Sequence, residues 1–188
     1  MSGPVRAGPD DTGAPAPGAP GGPGGPVVVR PARPGDVDIL VALVRELAAY
    51  EREPESARLE PAQLHAALFT SAPSVFAHVA EIDGEVVGMA IWFVTFSTWT
   101  GRHGLHLEDL YVRPGARGRG AGRDLVARLA HTALDAGWTR VEWSVLDWNE
   151  PALRFYRSIG SRPMDGWTVH RLDGSTLATL AASDDSGR

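Results

Sequence analysis

The segment from Leu107 to Arg123, LEDLYVRPGARGRGAGR, constrains the fold more than any other part of this sequence. An apolar strand pattern over 105–112 leads into a turn of alternating Arg and Gly, and an amphipathic helix pattern follows. Glycines allow positive φ, so several backbone N–H groups can approach one anion, and the helix adds the positive end of its dipole. The turn is therefore predicted to hold a pyrophosphate.

The spacing within the turn excludes two common phosphate loops. There is no G-x-x-x-x-G-K-[ST], and Arg123 stands where G-x-G-x-x-G needs its last glycine. The pattern R/Q-x-x-G-x-G/A is matched by consecutive residues, which are Arg117, Gly118, Arg119, Gly120, Ala121 and Gly122. The three arginines add positive charge for phosphates. A solvated turn is the alternative reading, and the apolar strand and helix at its two ends argue against it.

Composition excludes several kinds of chemistry. The 188 residues suffice for one domain with a sizeable core. The net charge of -5 argues against a nucleic-acid partner and favours cationic substrates. The chain has no Cys and no Lys, which excludes disulfides, thiolate metal sites, cysteine nucleophiles and Schiff bases, and suits a cytoplasmic protein. The His residues show no metal-ligand spacing, so no metal is expected.

The two ends of the chain differ from its middle. Residues 1–26 are mostly Pro, Gly and Ala without an apolar run, and we expect a disordered tail there. One folded domain is expected over 27–182 and a loose end over 183–188. No stretch resembles a secretory signal or a transmembrane helix, so no membrane partner is expected.

Apolar periodicity and turn signals predict a mixed α/β fold in the order β-α-α-β-β-β-α-β-α-β. Strands are expected over 27–30, 75–82, 85–96, 105–112, 140–146 and 163–172, and helices over 37–47, 61–69, the segment ending near 136, and 150–159. Asp83 and Gly84 form a strong hairpin signal between the second and third strands. This order predicts a mixed sheet with helices on both faces.

Separated motifs in this order resemble the GNAT superfamily of N-acetyltransferases. They are RPARPGDVDILVALVRELAAYE, STWTGR, LEDLYV and WNEPALRFYRSIG, beside the Arg-Gly turn. The resemblance narrows to the diamine (spermidine/spermine) and thialysine acetyltransferases and covers about 28–180. It implies the GNAT fold with a mostly antiparallel mixed sheet, acetyl-CoA as co-substrate, a small amine as acceptor, and a homodimer.

The same resemblance assigns residues to the coenzyme. The Arg-Gly turn, with Arg123, would grip the pyrophosphate. A backbone N–H within Leu110, Tyr111 and Val112 would polarise the thioester carbonyl. The pantetheine arm would insert where the strand over 105–112 separates from the strand over 140–146. Asn149 would contact coenzyme A, although an N-cap role alone also explains it.

Tyr156 and the Glu108-Asp109 pair are the candidates for proton transfer. Tyr156 is either an amphipathic packing residue or, as the resemblance implies, the group that stabilises or protonates the departing thiolate. Adjacent strand residues point to opposite faces unless a bulge turns them. By resemblance Glu108 would accept the amine proton and Asp109 would support the substrate charge. A solvated edge or a loop cap is the alternative for this pair.

The remaining substrate residues come from the resemblance alone. Tyr50, Glu51, Trp99 and Asp165 match positions that line the amine site, where carboxylates and an aromatic face suit an alkylammonium. Glu51 as a helix-end charge and Trp99 as a core residue are the alternatives. Ser97 replaces an Asp of the family pattern, which favours small mono- or diamines, or an amino acid side chain, over long polyamines.

The function expected from these observations is acetyl transfer from acetyl-CoA by direct attack of a primary amine. The chain has no Cys and no G-x-S-x-G motif for an acyl-enzyme. Two other functions remain open. A protein lysine or N-terminal acetyltransferase would need a more open and less acidic acceptor groove, and a non-catalytic acyl-CoA-binding module would lack Glu108 and Tyr156.

Overall fold

The computed structural model describes residues 24–185. The expected tail lies outside the described residues over 1–23. The elements are β1 (Val27–Pro31), α1 (Val37–Tyr50), α2 (Pro61–Leu68), β2 (Phe76–Ile82), β3 (Glu85–Ser97), β4 (Arg102–Val112), α3 (Ala121–Asp135), β5 (Val141–Trp143), α4 (Glu150–Ser158) and α5 (Gly174–Asp185). Residues up to Ser144 form one compact unit, and those from Val145 form a second.

The first unit contains a five-stranded sheet in the order β1-β2-β3-β4-β5. The first three pairings are antiparallel and β4 pairs with β5 in parallel, which confirms the mostly antiparallel mixed sheet. Asp83 and Gly84 connect β2 to β3 with φ of 53° and 81°. Both residue types tolerate positive φ, so the predicted hairpin is confirmed.

Helices cover both faces of this sheet, as predicted. On one face, Val79 and Met89 pack against α1 and α2. Ala80 and Ala90, which neighbour them in sequence, belong to the opposite face and pack against α3. The alternation follows from the period of two along a strand. α1 and α3 therefore cover opposite faces of the sheet's central strands.

Local signals set the helix boundaries of the first unit. Pro61 is the first residue of α2, and a capping box precedes it, because the N–H of Glu60 donates to Oε1 of Gln63 at 2.9 Å. Gly137, with φ of 70°, ends α3 just after Asp135. Within residues 24–185, no helix combines the length and apolar composition that crossing a membrane requires.

The second unit corrects one predicted element. The strand expected over 163–172 is wrong, because this segment has no strand and its side chains are exposed, including Trp167 at 71% and Val169 at 84%. The alternating apolar residues indicated a half-buried strand, yet no ladder partner pairs with them among the described residues. α5 follows instead and includes 183–185 of the expected loose end, and 186–188 lie outside the described residues.

Candidate functional site: a bulged strand, an Arg-Gly turn and three carboxylates

The Arg-Gly turn has the backbone geometry of an anion cradle. Gly118 and Gly120 have φ of 76° and 92°, which confirms the expected left-handed conformation at these two positions. Gly122 lies in the first turn of α3, where φ is not positive. The first helical bond runs from the N–H of Asp124 to the carbonyl of Gly120 at 2.9 Å. The preceding N–H groups at the start of α3 are therefore left over for an anion.

Two of the three arginines of this turn contact other parts of the first unit. Arg117 donates from Nε to the carbonyl of Val112 at 2.9 Å. Arg119 donates from Nη2 to the carbonyl of Gly25 at 2.7 Å. Arg123 is exposed at the start of α3. The role of these arginines toward phosphate stays a prediction.

Strand β4 carries a bulge at Glu108. Asp109 pairs with Ile91 and Leu107 with Trp92, so Glu108 is the extra residue between them. The Glu108 side chain is 58% exposed, and its Oε2 lies 3.8 Å from Nε2 of His106. The bulge that the sequence left open is therefore present, and it breaks the strict alternation of the two neighbouring acids.

Three acids of the first unit form what we call the carboxylate cluster, namely Glu51, Glu108 and Asp109. Burial, followed by the charges of Glu108 and Glu51, raises the pKa of Asp109 to about 6. Burial also raises the pKa of Glu51, which caps the C-terminal end of α1. The charges of Glu51 and Glu108 thus act on the carboxylate of Asp109. Such a cluster is stabilised by a bound cation.

Two backbone N–H groups near the end of β4, those of Leu110 and Val112, point away from β3. The N–H of Arg113 donates to the carbonyl of Val87 at 2.9 Å. Because N–H groups alternate in direction along a strand, those of Val112 and Leu110 point to the opposite side. The ladder between β4 and β5 covers only Leu105–Leu107 and ends before these residues. Insertion of the pantetheine arm between these two strands stays a prediction.

Tyr50 and Trp99 occupy different ends of the first unit. Tyr50 is the last residue of α1, directly before Glu51 of the carboxylate cluster. Trp99 lies in the turn after β3 and is 87% exposed. Since a strand rises about 3.4 Å per residue, the start of β4 lies roughly 24 Å from Asp109. A single chain therefore does not bring Trp99 to the carboxylate cluster.

The second unit holds the other three predicted residues. Asn149 is buried and caps α4, accepting a hydrogen bond from the N–H of Ala152 at 3.3 Å, which confirms the N-cap role. Tyr156 lies on α4 beside Phe155, with their ring centroids 5.2 Å apart. Asp165 is exposed in the segment before α5. Their roles toward coenzyme and substrate stay predictions.

Sequence reasoning missed an ion pair that ties the end of β4 to α1. Arg113 donates from Nη2 to Oε1 of Glu46 at 2.7 Å and from Nε to both carboxylate oxygens, at 3.1 and 3.2 Å. Burial is the main reason that the pKa of Tyr111 is raised, and the negative charge of Glu46 raises it as well. These partners are far apart in sequence, so no local pattern signals the contact.

Among the described residues, no group of His, Cys, Asp or Glu is arranged to hold a metal ion.

Known proteins are similar to this chain in sequence. A model of the acetyltransferase (GNAT) family matches residues 40–160. The thialysine N-epsilon-acetyltransferase of Bos taurus is 36% identical over 166 residues, covering 82% of this chain and 97% of that protein. The spermidine/spermine N(1)-acetyltransferase-like protein 1 of Homo sapiens is 29% identical over 163 residues, covering 81% of this chain and 23% of that protein.

The fold agrees with these matches. The solved structure of an integron cassette protein from the mobile metagenome of V. cholerae superposes with a TM-score of 0.70 at 26% identity, covering 82% of this chain and 97% of that one. GNAT acetyltransferases use acetyl-CoA as co-substrate. The chain therefore belongs to the acetyltransferase (GNAT) family and is an N-acetyltransferase.

Proposed function

We propose that this enzyme transfers the acetyl group of acetyl-CoA to a primary amine of a small cationic substrate by direct attack. The observation that carries the proposal is the carboxylate cluster of Glu51, Glu108 and Asp109 beside the bulge of β4. Such a concentration of negative charge favours an alkylammonium, and the end of the same strand directs N–H groups to its open side.

In the proposed reaction, the ammonium first gives a proton to the carboxylate of Glu108. The amine lone pair then attacks the carbonyl carbon of the thioester, and the developing oxyanion accepts a hydrogen bond from an N–H of Leu110 or Val112. The C–S bond breaks, and the thiolate is stabilised or protonated by the hydroxyl of Tyr156. The new amide nitrogen loses its second proton to water, or to the tyrosinate when Tyr156 has protonated the thiolate. Asp109 holds the positive charge of the incoming substrate.

Two observations support a short amine as the acceptor. The thialysine N-epsilon-acetyltransferase of Bos taurus is 36% identical to this chain, and the match covers 97% of that protein. In addition, the hydroxyl of Ser97 accepts the N–H of Thr100 at 3.3 Å, so this position stabilises a turn and supplies no carboxylate for a second ammonium. We therefore propose a thialysine-like amino acid or a short diamine before a long polyamine.

A homodimer belongs to the same proposal. Each unit exposes large apolar side chains, including Phe96 at 55% and Trp99 at 87% in the first unit and Trp167 at 71% in the second. Exposed aromatic residues of this size are typical of protein interfaces. Light scattering at micromolar concentration tests the dimer, and a monomer there would contradict it.

A screen of amines tests the proposed activity. Acetyl-CoA is mixed with the enzyme and with thialysine, lysine, ornithine, putrescine, spermidine or a lysine-containing peptide, and the released thiol is followed. We expect the amino acids and the diamine to be acetylated with the highest kcat/KM. A preference for the peptide would instead indicate a protein acetyltransferase, and binding of acetyl-CoA without turnover of any amine would indicate an acyl-CoA-binding module.

A further inference from the structure

Two arginines connect the end of β4 to the last turn of α1. Arg113 pairs with Glu46, as described above, and the guanidinium carbon of Arg117 lies 5.2 Å from the ring centroid of Tyr50. Glu46 and Tyr50 are four residues apart on α1 and therefore share one face of the helix. Arg113 and Arg117 are likewise four apart, on either side of the 3-10 turn Pro114–Ala116. The Arg113–Glu46 and Arg117–Tyr50 contacts therefore lie one helical turn apart and both join α1 to the segment that follows β4.

Arg117 is held in this position by three contacts. Its guanidinium lies 5.7 Å from the ring centroid of Tyr111 as well as over Tyr50, and its Nε donates to the carbonyl of Val112 at 2.9 Å. Tyr111 is buried, so its ring is a fixed support. A guanidinium over aromatic rings gains both electrostatic attraction and dispersion. The side chain of Arg117 thus extends toward α1, although its backbone belongs to the Arg-Gly turn.

We propose that Arg117 is a positioning residue for the amine site, which fixes Tyr50 and the adjacent Glu51 relative to β4. This inference rests on the proposed function, because it assumes that the carboxylate cluster receives the amine. Glu51 contributes to the field around Asp109, and its place in the cluster depends on where α1 ends. Movement of Tyr50 would displace that charge and weaken amine binding, while the N–H groups of the turn would still meet the pyrophosphate.

The test separates the two substrates kinetically. Arg117→Gln removes the charge over Tyr50, and we expect the KM for the amine to rise about threefold to tenfold, the range of a cation–π contact. The KM for acetyl-CoA should stay within about twofold, because the backbone cradle is intact. Arg117→Lys keeps a cation near the rings and should recover part of the loss. Arg45→Gln is the matched control, since it removes an exposed arginine of α1 that pairs with Glu60 at 3.5 Å.

A double-mutant cycle identifies the partner. Tyr50→Leu removes the ring and Tyr50→Phe keeps it, so Arg117→Gln should add little to the amine KM of the Leu variant and its full effect to that of the Phe variant. The same cycle on the free energy of unfolding requires no turnover. Additive effects in both cycles would overturn the inference.

Two further outcomes would overturn the positioning role of Arg117. If Arg117→Gln raises the KM for acetyl-CoA as much as, or more than, that for the amine, Arg117 binds phosphate and the positioning role is overturned, while the proposed function stands. If the wild-type enzyme acetylates no amine in the screen, the proposed function fails and this inference fails with it.

Discussion

Nε1 of Trp92 donates a hydrogen bond of 3.1 Å to Nδ1 of His78, and both side chains are buried. This geometry requires Nδ1 to be unprotonated, which assigns the ring proton of the neutral imidazole to Nε2. Burial, followed by the charge of Arg128, lowers the pKa of His78 to about 4. The ring of Trp92 also stacks on Phe76, with centroids 4.4 Å apart. The pair is a polar contact inside the α3 face of the sheet.

The first prediction concerns the stability of the protein at low pH, which depends on His78 and its contact with Trp92. The unfolded state binds a proton on His78 near the ordinary pKa of about 6.5, whereas the folded state does so only near 4, so the free energy of unfolding should fall as the pH drops from about 6.5 to about 4. His78→Gln keeps an acceptor for Trp92 but does not titrate. Urea unfolding across this range should show the wild type losing stability relative to the variant. A constant difference would contradict the low pKa.

The second prediction concerns Asp109, for which the pH dependence of stability has the opposite sign to that of His78. Because the pKa is raised to about 6, the folded state binds more protons than the unfolded state between about pH 4 and 6, and stability falls as the pH rises through this range. Asp109→Asn removes the effect, so the variant should gain stability relative to the wild type as the pH rises to 6. Asp38→Asn is a control outside the carboxylate cluster, in the first turn of α1. A flat difference for Asp109→Asn would contradict the burial of this charge.

The third prediction separates two roles of Glu108. If its carboxylate accepts the amine proton, Glu108→Gln should lower kcat/KM by about 10²-fold or more and remove the acidic limb of the pH profile. If it only attracts the cation, the amine KM should rise with kcat nearly unchanged. Glu142→Gln is the control, because Glu142 is an exposed acid of β5 that pairs with Arg140. Full activity of Glu108→Gln would exclude both roles.

The fourth prediction tests the Arg-Gly turn. Coenzyme A should raise the Tm of the wild type, because it binds the folded turn and not the unfolded chain. Gly120→Val should abolish this shift. The nearest atom to a Cβ at Gly120 is Oδ2 of Asp124 at 3.7 Å, so the conflict arises from the φ of 92° and not from crowding. Gly115→Val is the control in the same connection, where φ is not positive and a Cβ meets nothing within 4 Å. An undiminished shift in Gly120→Val would remove the pyrophosphate assignment.

The fifth prediction concerns the N-terminal end, which the sequence predicts to be dispensable over 1–26. The structure narrows this expectation, because the N–H of Gly25 donates to Oδ1 of Asp83 at 2.8 Å and its carbonyl accepts from Arg119. We expect deletion of 1–23 to leave the Tm and acetyl transfer unchanged. Deletion of 1–26 removes both hydrogen bonds and should lower the Tm by about 2–4 °C per kcal/mol lost. Equal Tm values for the two truncations would show that the Gly25 contacts add nothing.

Most secondary structure of the first unit was predictable because its signals are local. The Asp83-Gly84 hairpin, Pro61 at the start of α2 and the turn ahead of α3 each depend on the backbone preferences of a few neighbouring residues. The strand expected over 163–172 was wrong because local signals alone do not make a strand. Alternating apolar residues show that a segment can form a strand, but a strand also needs a partner, which the periodicity does not supply.

The sequence by itself determined the order of strands and helices up to α4, the left-handed glycines of the turn, and the residue types available for acetyl transfer. Only the tertiary structure decided that β4 bulges at Glu108, that burial raises the pKa of Asp109, and that Arg117 lies against Tyr50. The physical reason is distance along the chain. Backbone preferences act between neighbouring residues, whereas burial and electrostatic fields arise from residues that meet only when α1 packs on the sheet.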